Sequence, residues 1–218
     1  MSRPQLIVMV LTIATASALA LAQEIQTRRK AAEAAELQQV FRVKGGKHWD
    51  SSPIIFSLGS SRNLSELVTD TPVRFDLDAS GPDSWSWIRP TTALLVWDPA
   101  HEGNVTSGRQ LFGSVSFGLP WTDGYAALAT LDTDHDGQLV GAELDGLGAW
   151  FDRNSNGLSD PGEVVPVTSL GIVSIAVHPL TLDGDVLTTP YGIKLHDGHE
   201  LPTWDWLSHR MDEAKPVD

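Results

Sequence analysis

The chain has 218 residues, with 15 Lys and Arg against 28 Asp and Glu, a net charge of −13. It has no cysteine, which excludes disulfides, thiolate metal sites and thiol catalysis. An acidic chain repels phosphate, so no nucleic acid partner is expected, while 41 % hydrophobic residues suffice for a packed core in one domain, two at most.

Residues 6–22 form an uncharged run of 17, preceded by Arg3 and ending Ala20-Leu21-Ala22 before Gln23. That small-x-small ending suits a signal peptidase, and the run is at the lower limit for spanning a bilayer. Residues 1–22 are therefore expected to be a signal peptide, cleaved after Ala22, or a membrane anchor. The body is expected to be secreted, periplasmic or at the cell surface. Membrane contact is expected only if the N-terminal helix is retained.

Residues 23–47 read as a helical spacer, because 24–41 are rich in Ala, Glu and Gln and lack Gly and Pro. Residues 48–218 read as a strand-rich domain. Short apolar runs at 53–58, 73–77, 85–88, 93–97, 172–178 and 191–195 alternate with Gly, Pro and Asp turns. Helical signals are few. Asp123 is placed to cap a short helix reaching Leu131, and a second could run from Ala142 to Phe151, weakened by Gly146 and Gly148. The expected class is α+β: a strand-rich single domain with a small helical, EF-hand-like calcium-loop insert, preceded by the signal or anchor helix.

The most specific signal lies in that insert. Residues 132–143 place Asp132, Asp134 and Asp136 two apart, then Gly137, Gln138 and finally Glu143. This is the spacing of a twelve-residue calcium loop. Three carboxylates supply hard oxygen ligands, Gly137 permits the sharp turn, Gln138 offers its carbonyl, and Glu143 closes the shell. Residues 152–163 repeat it with Asp152, Asn154, Asn156, Gly157, Leu158 and Glu163, Leu158 offering its carbonyl. Two Asn replace acids there, so charge count predicts weaker binding. Residues 123–163 carry nine acids against Arg153 alone, a crowding that a bound Ca2+ would relieve. Only residues 144–151 separate the loops, too few for a regular EF-hand pair, so one short helix is expected to serve both. Two earlier segments, from Asp76 and from Asp98, begin in the same way. They lack a ligand at Trp87 and at Ala100, respectively, and read more simply as polar turns.

The succession of Phe75-Asp-Leu-Asp78, Trp87, Leu95-Val-Trp-Asp98, Gln110-Leu-Phe-Gly113, Gly124 to Asp132, the two loops and Leu170 to Ile175 resembles secreted bacterial calcium-binding proteins. It is also similar to calcium-loop modules of repeats-in-toxin (hemolysin-type) surface proteins. The resemblance implies an exported protein whose acidic loops bind calcium and become ordered by it. It supplies no catalytic residue. Such proteins carry a Glu where Gln110 stands here, which implies that the two earlier loops have lost their metal.

Three functions are compatible with these residues. The leading one is a non-enzymatic, exported calcium-binding protein. A second is a surface binding module in which Trp85, Trp87, Trp204 or Trp206 meets a glycan or protein partner, with calcium as scaffold. A third is a hydrolase using His178, His196 or His199, although Asp197-Gly198 reads better as a hairpin turn.

Overall fold

The computed structural model describes residues 51–211. The expected signal or anchor at 1–22 and the spacer at 23–47 lie outside the described residues. Among the described residues, no helix is long and apolar enough to cross a membrane.

Among the described residues, most of the regular elements are strands. In order they are β1 (Ile54–Ser57), β2 (Val68–Phe75), β3 (Asp83–Ile88), β4 (Thr92–Trp97), β5 (Gln138–Val140), β6 (Leu147–Trp150), β7 (Val164–Pro166), β8 (Ile172–Ala176), β9 (Thr181–Asp183), β10 (Val186–Leu195) and β11 (Glu200–Asp205). A nine-stranded sheet runs β5-β8-β10-β11-β1-β4-β6-β7, with β9 paired to the beginning of β10. A separate ribbon joins β2 to β3. All pairings are antiparallel.

The central strands are buried on both faces, which explains their unbroken apolar sequences. Ile54 and Phe56 of β1, with Ala93 and Leu95 of β4, face one core that includes Phe112, Tyr125 and Leu128. Their neighbours Ile55, Leu94 and Val96 face a second core beneath the ribbon, with Trp85, Trp87, Trp150, Trp204 and Trp206. Alternate residues of a strand point to opposite faces, so each sheet face is covered.

The helical insert is not observed. Among the described residues the one α-helix is α1 (Gly124–Leu128), five residues long, capped by Asp123 Oδ1 accepting from Ala126 N at 2.8 Å. The segment expected to be a helix from Ala142 to Phe151 is instead a single 3₁₀ turn (Gly141–Leu144) followed by β6. The physical reason is pairing. Residues 147–150 are buried, and β6 lies between β4 and β7. A Cβ on Gly148 would come within 2.9 Å of Val96 Cγ2, so a larger residue there would push the Val96 side chain aside. Gly146, at φ 79°, turns the chain into the strand. A strand, not a shared helix, therefore connects the two calcium-type loops. The class is strand-rich β rather than α+β.

Candidate metal centre

In residues 132–143 the carboxylates come together. Asp132, Asp134 and Asp136 each offer an oxygen within 4.8 Å of the others. Calcium binds oxygen at about 2.3–2.6 Å, so ligands on opposite sides of one ion lie about 5 Å apart. The donor set therefore fits a single hard cation. Without one, each carboxylate pair would repel by on the order of 1–4 kcal/mol, depending on how far water screens it.

The backbone explains the convergence. Asp132 Oδ1 accepts from His135 N at 2.7 Å and Oδ2 from Gly137 N at 3.0 Å. Asp134 accepts from Asp136 N at 3.2 Å, and Asp136 from Gln138 N at 2.8 Å. Each side chain thus folds back over its own turn. Glu143 closes the loop from outside this trio. It takes Thr133 N (2.7 Å), the Thr133 hydroxyl (2.6 Å) and Val140 N (3.1 Å). The Thr133 hydroxyl first, then the Thr133 and Val140 amides, hold its pKa down to about 2. Gln138 lies in β5, and its side-chain oxygen accepts from Ser174 Oγ at 2.6 Å. That leaves its carbonyl as the group it could offer an ion.

Residues 152–163 repeat the arrangement. Asp152 accepts from Asn156 N at 3.0 Å and Gly157 N at 2.9 Å, and Asn156 Oδ1 accepts from Leu158 N at 2.7 Å. Glu163 takes Arg153 N at 2.8 Å and Asp160 N at 3.2 Å, as Glu143 takes the amides of positions two and nine. The amide nitrogens of Asn154 and Asn156 both donate to Asp160 Oδ2, at 2.8 and 2.9 Å. Those two bonds lower the Asp160 pKa. The sequence places Asp160 at position nine, and the structure draws it into the same cluster. The Leu158 side chain is exposed, consistent with a residue that contributes only its backbone.

The two earlier segments share the same turn. Position four is left-handed in all four loops: Ala79 (φ 61°), His101 (φ 53°), His135 (φ 62°) and Ser155 (φ 56°). Position six is a left-handed glycine in each, and its N–H bonds the Asp at position one: Gly81 to Asp76, Gly103 to Asp98, Gly137 to Asp132, Gly157 to Asp152.

Where the acids are missing, nitrogen donors of the chain itself fill in. At residues 76–83 the Arg210 guanidinium pairs with Asp78 and Asp83 and donates to Ser80 Oγ at 3.3 Å. At residues 98–110 the Gln110 amide donates to the Asn104 carbonyl at 2.6 Å, while its oxygen accepts from Thr106 N at 2.8 Å. The second contact is the one Glu143 and Glu163 make to position nine. Gln110 thus reproduces the closing contact with a neutral group. The sequence singles out Gln110 but gives no sign of Arg210, which is remote in the chain.

The other candidate residues stand apart. Trp85, Trp87, Trp204 and Trp206 are between 0 and 4 % exposed, so none presents a ring face to a glycan or protein. His178, His196 and His199 are exposed. His199 Nδ1 lies 3.1 Å from Asp197 at the expected hairpin turn, where Gly198 N bonds Leu195 O at 2.9 Å. A groove lined by Ser65, Val68, Arg89 and the outer end of β2 contains none of these histidines.

One relative is the iron-regulated protein FrpA of Neisseria meningitidis serogroup C, 34 % identical over 94 residues. The match takes in 41 % of this chain but only 8 % of that protein, so the chain corresponds to a small fraction of its relative. Residues 61–200, a segment that includes all four turns and both acidic loops, match the SPM domain. This is more than half of the sequence, and the chain belongs to the SPM domain family.

Proposed function

We propose that this is an exported calcium-binding protein whose loops at 132–143 and 152–163 bind Ca2+ and thereby order the domain. The observation that carries the reading is the convergence of Asp132, Asp134 and Asp136 on a common centre, on a turn that residues 152–157 reproduce. An ion there would neutralise the most acidic stretch of the chain. It would also tie β5, which begins inside the first loop, to the turn at residues 132–136 that follows α1. The second loop spans β6 to β7, so an ion in it would fasten that edge of the sheet. The proposed role of the ions is structural.

Ligand linkage sets the scale. An ion present at 100 times its dissociation constant adds about 2.7 kcal/mol per site, and extracellular sites bind on the order of 0.1–1 mM. Calorimetric titration with calcium tests the reading. Two sites are expected, with a melting temperature that rises with calcium and falls with chelator. The response should shrink to one site in a chain carrying both Asp132→Asn and Glu143→Gln. Absence of bound calcium at ~10 mM, above that range, would reject it.

A further inference from the structure

The first ligand of the second loop is held by a residue from a different loop. Asp152 is fully buried, and its Oδ2 accepts from the Trp87 indole N–H at 2.7 Å. Trp87 occupies position twelve of the segment that starts at Asp76, where a complete loop would carry its closing Glu. It is fully buried in β3 and packs against Phe75 (centroids 5.5 Å) and Trp150 (5.8 Å). Its partner on the ribbon is Thr69 of β2. The indole therefore has little freedom, and its N–H fixes the Asp152 carboxylate from inside the core.

The first loop has no such contact. Among the described residues, the bonds to the Asp132 carboxylate come from the backbone amides of His135 and Gly137. The two loops share a turn but differ in what orients their leading ligand.

We propose that Trp87 is a positioning residue for the loop at 152–163: its indole N–H holds Asp152 in the orientation that receives the cation and couples occupancy of that loop to the β2–β3 ribbon. This rests on the calcium-binding reading above. Groups that hydrogen-bond a metal ligand from outside the coordination shell typically change metal affinity by about 10–100-fold when removed.

The test compares the full chain with Trp87→Phe, which keeps an aromatic ring but loses the N–H. Each is titrated calorimetrically with calcium chloride in a background carrying Asp132→Asn and Glu143→Gln, so that the second loop is read alone. At least a tenfold loss of affinity is expected there. With the first loop intact and Asp152→Asn silencing the second, Trp87→Phe should leave affinity within twofold. A second readout needs no core substitution. In the ¹⁵N-labelled chain the Trp87 indole N–H resonance should move with calcium, keep moving when the first loop is silenced, and stop moving in Asp152→Asn. An indole resonance indifferent to calcium bound at the second loop overturns the proposal, and so does an equal loss of affinity at both loops. A parent chain that binds no calcium at either loop instead defeats the calcium reading itself, and the two failures are distinguishable.

Discussion

Ser159 and Val105 meet as the eighth residues of two different loops. The Ser159 hydroxyl accepts from Val105 N at 2.8 Å and donates to Val105 O at 3.3 Å. The second acidic loop is thus paired with the segment that starts at Asp98, not with its neighbour at 132–143. A hydroxyl does here what two backbone strands would otherwise do. Ser159→Ala removes both bonds and should cost about 1–3 kcal/mol, the usual range when a buried polar group loses its partner. The loss should persist in chelator, because the pairing needs no ion; thermal melts with and without calcium check this.

Arg210 should anchor the last described residues to β3. Its guanidinium lies over the Trp85 ring at 5.1 Å as well as on Asp78 and Asp83, and Met211 N bonds Ser84 O at 2.9 Å. Burial works against ionisation of Asp78, but bonds from Ser80 and Arg210 outweigh it and lower its pKa. Arg210→Gln should speed amide exchange at residues 208–211 and around 78–84. The ion pairs are partly exposed, so the stability cost should stay at about 1 kcal/mol or less and shrink with added salt.

Two glycines in the second loop separate strain from contact. Gly157 (φ 72°) and Gly162 (φ 85°) are both left-handed, but a Cβ at Gly157 would meet Arg74 O at 2.5 Å, whereas at Gly162 it would meet nothing within 4 Å. Gly162→Ala should cost the backbone penalty alone, about 1–2 kcal/mol. Gly157→Ala should cost clearly more, because the loop must move off β2. Chemical denaturation of the two variants gives the comparison.

Asp205 should make stability fall as pH rises. Burial first, and the nearby Asp123 second, push its pKa well up; bonds from Gly124 N and Ser52 only partly oppose them. Gly124 N lies 3.0 Å from Asp205 Oδ1. The folded state then holds this proton more tightly than the unfolded chain, where an Asp titrates near ~3.9. Stability from this group is present below that value and is lost as pH rises toward the folded pKa. Asp205→Asn keeps an acceptor for Gly124 without the charge. It should raise the melting temperature at neutral pH, by on the order of 1 kcal/mol of stability, with the gain vanishing near pH ~3, below the unfolded value.

The loops were legible because their chemistry is local. Asp132, Asp134, Asp136 and Gly137 declare a turn within six residues, and the same spacing revealed the earlier copies. The central strands were legible for a similar reason: β1 and β4 are short apolar runs bounded by turn residues. The segment 142–151 misled, since Ala, Glu and Leu favour helix while the pairing of β6 with β4 and β7 is invisible in local sequence. The pairing of Ser159 with Val105 was not legible, because Val105 lies 54 residues upstream, beyond the reach of any spacing rule. Trp87 was noticed as a missing ligand and as a candidate surface aromatic, not as a donor to Asp152. Its role depends on the ribbon folding over the sheet, and periodicity does not encode which buried carboxylate an indole will meet.

The antiparallel bridge between Ser51 and Ser208, with Ile54 opposite Asp205, has a mechanical consequence. Tension entering through those two points would reach the same end of the β1–β11 pair. Its backbone bonds would then break in succession, as a zipper opens, instead of resisting together in shear. Stretching the domain by its flanks should therefore meet little resistance: once residues 208–211 have peeled from β3, the two strands at the middle of the sheet should separate.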